Sequence, residues 1–254
     1  MNATHDPAPP ADDPDVRAVD APPPAPRREV PTAEILPYVV PMFAYVSLGG
    51  LESYLPQESG QLSHVWYPIA YAARALVVAA IAVYYRAIWK DFRPFPRLGP
   101  IALAVVVGLV VTALWVGLDG LYPGLPFMGK RASFDPMRIP IAGRIAFYAA
   151  RMFGLVLVVP VVEELFWRSF LIRWLIEQDF RSVPIGRVTL FSAGATSVLF
   201  ALAHPEWLPA VLTGLIWAWL LHQTRSLACC LVSHAIANLA LGIYIIQAGA
   251  WKFW

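Results

Sequence analysis

The chain has 254 residues, of which 58% are apolar and only 14% are charged, and its formal net charge at pH 7 is +2. So small a charge argues against nucleic acid as a partner. Several uninterrupted apolar stretches approach roughly 20 residues, the length that an α-helix needs to cross the hydrocarbon core of a bilayer. The composition therefore predicts an all-α protein, a polytopic transmembrane helical bundle.

The start of the chain differs from the rest in composition. Residues 1–30 are rich in Pro, Ala and Asp and contain almost no aliphatic side chains that could form a core. Such segments stay disordered because they bury too little apolar surface. No apolar run follows a basic start, so we expect a disordered tail rather than a cleavable signal peptide. The transmembrane bundle is then predicted at residues 31–254.

Seven apolar segments follow the tail, and an eighth is expected if the fourth is broken. They run approximately over residues 35–55, 65–88, 99–119, 143–176, 188–205, 207–222 and 226–248. Basic residues follow the second, fourth and sixth segments, whereas the loops after the first and fifth contain no Lys or Arg. By the positive-inside rule this pattern predicts a cytoplasmic N-terminus, although Lys130, Arg131 and Arg138 in the third loop oppose it.

Three charges interrupt the fourth apolar segment in the stretch VVEELFWRSF, residues 161–170. Glu164 and Arg168 lie four residues apart, the spacing at which an acid and a base pair on one helix face. Glu163 is rotated by about 100° from that face, and no basic residue stands three or four positions from it. Because an unpaired acid at membrane depth costs at least ~2.5 kcal/mol, we predict a functional role for Glu163. A buried ion pair that only locks two helices is the structural alternative.

Pro160 lies within one helical turn of the two glutamates. Proline has no N–H to donate, which leaves the carbonyl of Val156 without its usual α-helical partner. We therefore expect a kink beside Glu163 and space there for water.

Two histidines and an asparagine occupy the later apolar segments. His204 ends the run SVLFALAHPEW, one turn after Phe200, and the small residues at 192–197 before it predict close helix packing. His234 and Asn238 lie four residues apart in LVSHAIANLA, hence on one helix face. A single buried histidine is commonly structural, but two histidines, an amide and an unpaired acid in neighbouring segments predict a site.

The distances of these groups from the adjacent turns, measured along their helices, are compatible with one site. Glu163 lies about 14 residues before the hairpin turn at residues 178–186 and His204 about 17 after it, or ~21 and ~25 Å at a rise of about 1.5 Å per residue. His234 is about nine residues, or ~13 Å, from the following turn. We expect the three side chains to meet within the bilayer.

Three motifs thus stand in order within residues 145–245: Glu163, Glu164 and Arg168; Phe200 and His204; His234 and Asn238. Their order and spacing resemble the CPBP family, the CAAX proteases and bacteriocin-processing enzymes of membranes. The resemblance implies an α-helical intramembrane endopeptidase in which Glu163 and His204 activate water. It implies further that His234 and Asn238 stabilise the oxyanion and that Glu164 and Arg168 form a structural ion pair.

Two stretches point to a narrower relationship. VLFALAHPEW and SHAIANLALGIY resemble a bacterial subgroup labelled CAAX prenyl protease-related, which is encountered with exosortase sorting systems. This resemblance implies an integral protein of the bacterial inner membrane. It implies a membrane-associated peptide or protein as substrate, whose identity the sequence does not indicate.

The chemistry of the four side chains is sufficient for peptide hydrolysis, which needs a base for water and donors for the oxyanion. We therefore expect no cofactor. Zinc is the alternative, with Glu163, His204 and His234 as the three protein ligands of a catalytic site. That use of Glu163 would leave no obvious base, and no HExxH motif occurs in the sequence.

A different functional class uses the same polar cluster without proteolysis. The chain would then be a membrane-embedded binding or immunity protein, or a small ion-coupled transporter that uses Glu52 and Glu163. Glu52 is a second acid in an apolar segment, with no role in the family pattern. The sequence has no internal repeat of the kind found in many transporters, which argues against transport.

Overall fold

The structure is a computed structural model that describes residues 30–58, 61–128 and 134–254. All of the predicted disordered tail except its last residue lies outside these ranges, as do Lys130 and Arg131 of the third loop. The fold is therefore given for the predicted transmembrane bundle.

Seven long helices form most of the described chain. They are α1 (Thr32–Leu51), α2 (Trp66–Tyr84), α3 (Leu98–Gly117), α4 (Ile141–Trp174), α5 (Leu190–Leu202), α6 (Trp207–Thr224) and α7 (Leu227–Ala248). Each coincides with one predicted apolar segment, and the fourth segment remains one continuous helix. Within the described ranges, five helices (α1 to α4 and α7) are long and apolar enough to cross a membrane, and α5 is apolar but shorter. The predicted all-α transmembrane class is confirmed.

Short elements connect these helices. The 3₁₀ segments are Glu52–Tyr54, Arg86–Phe92, Pro126–Met128, Pro136–Arg138 and Trp251–Phe253. Strand β1 (Gln57–Glu58) pairs antiparallel with β2 (Gln61–Leu62), so that Gln57 lies opposite Leu62. This ladder turns the chain back and allows α1 and α2 to pack against each other.

Helix α4 changes register twice along its length. Two π-helical segments, Phe153–Val158 and Leu165–Leu171, flank the α-helical turn Val159–Glu164 that carries both glutamates. In a π-helix each N–H reaches the carbonyl five residues earlier, so the N–H missing at Pro160 is the one that Leu155 would have used. The disturbance expected at Pro160 thus takes the form of a change of register, and such π-segments are frequent at functional sites.

Close helix crossings place α7 and α5 against their neighbours. Helix α7 packs along α3 and against the middle of α4, and α5 forms a hairpin with α6. At Gly108 of α3 a Cβ atom would lie 2.5 Å from the carbonyl oxygen of Ser233, and at Gly214 of α6 it would lie 2.7 Å from Ser197. Small residues permit this approach in membranes, where apolar burial does not drive helices together. The close packing predicted for residues 192–197 is confirmed at Ser197.

The end of α4 is tied to the loop after α2 by buried polar groups. Asp91 accepts hydrogen bonds from Tyr38 at 2.8 Å and from Ser169 at 2.5 Å, and it pairs with Arg173 at 3.3 Å. Arg173 is buried, and Asp91 is its ion-pair partner. Its contact holds this end of α4 against the rest of the bundle.

Candidate active site

A cavity of about 180 Å³ is lined by residues from all seven long helices. The four side chains predicted to be catalytic all line it: Glu163, His204, His234 and Asn238. The structure therefore brings the three motif-bearing segments together, as the heights estimated from the sequence led us to expect. The role of each residue stays a prediction.

Glu163 is the acid that the sequence left without a local partner. Its side chain is buried, with 4% of the residue exposed, and its Oε2 atom has no hydrogen-bond partner within the described residues. An unsatisfied buried acceptor costs about 1–3 kcal/mol, so native proteins keep few of them without a use. Oε2 is thus an acceptor in a cavity, the arrangement that a base for water requires.

Glu164 contacts two motif residues rather than one. Its Oε1 atom accepts from Arg168 Nη1 at 3.3 Å and from His234 Nδ1 at 2.8 Å. The predicted pair of Glu164 with Arg168 is present and fully buried. The bond to His234 was not indicated by the sequence, because the two residues lie on different helices. Glu164 consequently orients a cavity residue as well as balancing a charge.

Arg168 is held between two aromatic rings. Its guanidinium carbon lies 4.9 Å from the ring centres of both Phe200 and Trp217. The Trp217 ring also lies on His234, with centres 4.3 Å apart, and its Nε1 donates to Ser233 Oγ at 3.0 Å. Aromatic faces stabilise a buried cation through their quadrupoles. Phe200 of the second motif therefore links the ion pair to the histidines, and Trp217 is a site residue that the motifs did not indicate.

His204 lies in the short connection between α5 and α6. Its Nδ1 donates to the carbonyl of Phe200 at 2.8 Å, and its ring meets the edge of Trp115 at a centre distance of 5.7 Å. With the proton on Nδ1, a neutral imidazole carries its basic lone pair on Nε2. The backbone of α5 thus sets the tautomer that can accept a proton.

Asn238 joins α7 to the π-helical part of α4. Its Nδ2 donates to the carbonyl of Leu155 at 2.7 Å. This is the carbonyl whose donor is missing at Pro160 in the π register. Asn238 therefore replaces an absent backbone N–H beside Glu163, and the second hydrogen of its amide group can serve another acceptor.

Zinc ligation was the alternative use of Glu163, His204 and His234. Across residues 30–58, 61–128 and 134–254, no three His, Cys, Asp or Glu side chains are close enough to hold a metal ion. The ligand set of Glu163, His204 and His234 is thus not assembled here.

Glu52 has a partner outside the predicted site. It forms an ion pair with Arg74 of α2, with Nε and Oε1 3.3 Å apart. Burial raises the pKa of the Glu52 carboxyl, and the charges of Arg74 and, more weakly, Arg151 oppose that shift. This pairing accounts for the charge of Glu52 and removes the main reason for placing it on an ion path.

Arg151 of α4 is a cavity residue that the motifs did not indicate. It is 7% exposed and interrupts the same apolar segment as Glu163. The signal that singled out Glu163, a charge at membrane depth without a local partner, applied equally to Arg151.

A family profile described as "Type II CAAX prenyl endopeptidase Rce1-like" matches residues 145–240. Searches of curated proteins and of solved structures gave no match. The matched segment contains all the motif residues: Glu163, Glu164, Arg168, Phe200, His204, His234 and Asn238. Together with the apolar helices it marks an integral membrane protein. Residues 145–240 thus form an Rce1-like domain, which supports the predicted CAAX protease family.

Proposed function

We propose that the protein is an intramembrane endopeptidase that hydrolyses a peptide bond in a membrane-associated protein or peptide. The observation that carries this proposal is the buried Glu163 Oε2 atom, which has no hydrogen-bond partner among the described residues and lines a cavity with His204, His234 and Asn238. The Rce1-like match supports CAAX-type protease activity in general. The assignment of individual roles is our own.

In this mechanism Glu163 and His204 act on water. Glu163 takes a proton from a water molecule in the cavity as the oxygen attacks the substrate carbonyl. His204 presents Nε2 as its proton-accepting nitrogen, because Nδ1 donates to Phe200. It can therefore accept on Nε2 the proton that Glu163 took from the water, and then deliver this proton to the leaving amine.

His234 and Asn238 bind the oxyanion that forms on the carbonyl. Because His234 Nδ1 donates to Glu164, Nε2 carries a hydrogen only when the ring is doubly protonated. The bond from Nδ1 to the Glu164 carboxylate stabilises that imidazolium. Asn238 contributes the amide hydrogen that Leu155 does not use. Each preorganised donor is worth about 10²–10³ in rate.

The assigned roles also lead to a metal prediction. We expect protein purified in detergent to contain well under one equivalent of zinc and to remain active after treatment with strong chelators. Metal analysis and an activity assay on one preparation test this. Near-stoichiometric zinc whose removal and return switch cleavage off and on would show that Glu163, His204 and His234 are ligands instead.

Location and substrate are further parts of the proposal. We infer a bacterial plasma membrane, a cytoplasmic N-terminus and an association with an exosortase system from the resemblance of the second and third motifs. The proposed target is a membrane-associated peptide or protein.

Comparative proteomics of peptide termini tests the proposed function. Membranes that contain the wild-type protein are compared with membranes that contain equal amounts of the Glu163→Gln variant. We expect a set of new termini in the first sample that is absent from the second, because the variant lacks the base. Identical termini in both samples would contradict proteolysis and favour the binding or transport alternatives.

A further inference from the structure

We propose that Arg151 binds a carboxylate of the substrate peptide within the cavity, at a point several residues from the bond that is cleaved. This inference rests on the proposed function and deepens it, because it assigns a binding residue and a chemical feature to the substrate. It concerns the part of α4 before the first π-helical segment, which none of the three motifs includes.

The surroundings of Arg151 hold its guanidinium group in one orientation. Nη1 donates to the hydroxyl of Tyr67 at 2.9 Å. The guanidinium carbon lies 4.3 Å from the ring centre of Tyr71 and 5.6 Å from that of Trp254. The Tyr71 hydroxyl in turn donates to the backbone carbonyl of Arg151 at 3.3 Å. A planar cation fixed by aromatic rings is preorganised for two-pronged binding of a carboxylate.

The protein itself does not use all the donors of this group. Arginine has five N–H donors, yet Nε of Arg151 is buried without a hydrogen-bond partner, and no ion pair of Arg151 is found within the described residues. The acid on this side of the bundle, Glu52, is already paired with Arg74. The Glu52 charge acts on Arg151 only from a distance, and a buried cation without an ion-pair partner still carries a desolvation cost. A ligand with a negative charge would remove that cost.

Among the described residues, the carboxylates and guanidinium groups in and beside the cavity form ion pairs, with two exceptions. Glu164 pairs with Arg168, and Glu52 pairs with Arg74. Glu163 and Arg151 remain, and both line the cavity. They are twelve residues apart on α4, or up to about 18 Å along the helix. Such a separation is too large for a direct ion pair. Glu163 and Arg151 therefore face different parts of a substrate peptide in the cavity.

The separation also limits where the carboxylate lies in the substrate. An extended peptide advances about 3.3–3.6 Å per residue, so a distance of up to about 18 Å corresponds to roughly five residues or fewer. The group that Arg151 binds is then a carboxylate within about five residues of the scissile carbonyl. It can be the C-terminal carboxylate of the substrate or the side chain of an acidic residue, and binding measurements distinguish these two sources.

The experiment uses the full-length Glu163→Gln protein in detergent, which we expect to bind peptides without cutting them. Three acetylated apolar pentapeptides are compared: one with a free C-terminal carboxylate, one with a C-terminal amide, and one amide that carries a glutamate. We expect the peptide with a free carboxylate, the glutamate peptide or both to bind at least about tenfold more tightly than the neutral amide. The peptide that gains affinity identifies the source of the carboxylate.

Variants then assign this preference to Arg151. In the Glu163→Gln protein, a second substitution Arg151→Gln should remove the preference for carboxylate-bearing peptides. Arg151→Lys should retain part of this preference, because lysine keeps the charge but not the planar guanidinium group. Arg144→Gln is the matched control, since it removes a positive charge from the same helix outside the cavity and should leave the preference unchanged. If Arg151→Gln does not fold, the affinities of the three peptides are compared between the protein that retains Arg151 and the Arg151→Lys variant.

Equal affinity for all three peptides, no detectable binding of either acidic peptide, or a preference that persists in Arg151→Gln would overturn the proposal. Because binding is measured without cleavage, the inference and the proposed function can fail separately. If the Glu163→Gln protein prefers carboxylates but the wild-type protein cleaves no peptide, the role of Arg151 is supported and the peptidase is contradicted. If the wild-type protein cleaves peptides but the Glu163→Gln protein shows no such preference, the peptidase is supported and the role of Arg151 is contradicted.

Discussion

Replacing Glu163 with glutamine is expected to abolish peptide cleavage while the protein still inserts and folds normally. The amide keeps the shape of the side chain but cannot take a proton from water. Because general base catalysis contributes about 10²–10⁴ in rate, we expect a loss of at least that size. Normal folding is expected because Oε2 has no hydrogen-bond partner that the substitution would remove. The measurement is cleavage of an identified substrate by purified protein in detergent.

The Asn238→Ala variant is the comparison for this experiment. It removes an oxyanion donor and the bond to the Leu155 carbonyl, but it leaves Glu163 able to activate water. We therefore expect a small residual activity in Asn238→Ala and less or none in Glu163→Gln. Full activity of the purified glutamine variant would show that Glu163 is not the base.

The second large effect is expected on stability, in the variant Glu164→Ala. Arg168 is 1% exposed, and its ion pair is with Glu164, so the substitution leaves a buried cation without its partner. Breaking a buried pair in this way costs about 3–5 kcal/mol. The variant should accumulate poorly in membranes and unfold at a lower temperature, which immunoblotting of membrane fractions and thermal unfolding in detergent measure.

Removing both partners of this pair separates charge balance from orientation. The double variant Glu164→Ala/Arg168→Ala should accumulate better than Glu164→Ala alone, because no buried charge is left unpaired. It should still cleave poorly, since His234 has lost the acceptor that orients its ring. A double variant that accumulates as poorly as the worse single variant would show that the two residues do not compensate each other.

Much of this protein could be predicted from its sequence, because some physical properties are local. The length and hydrophobicity of a segment decide whether it can span a bilayer, and all seven predicted apolar segments are helices in the structure. The cost of a charge at membrane depth made Glu163 conspicuous. The spacing of four residues was enough to pair Glu164 with Arg168, because both positions lie on one helix.

Contacts between helices could not be predicted in the same way. Each residue turns a helix by about 100°, so a small change of register decides which side chains face a neighbour. The bond of Glu164 to His234 depends on how α4 and α7 are rotated against each other. Asn238 meets the carbonyl of Leu155 because α4 is π-helical there, which the sequence around Pro160 did not indicate.

The sequence by itself thus determined the all-α membrane class, the segment that carries the Rce1-like motifs and the four candidate side chains of the site. These follow from hydrophobic length, charge cost and local spacing, which act within one helix. Only the tertiary structure decided that Glu164 orients His234 and that Arg151 lines the same cavity as Glu163. Partners from distant parts of the chain depend on the rotation and crossing of packed helices, and no single segment encodes these.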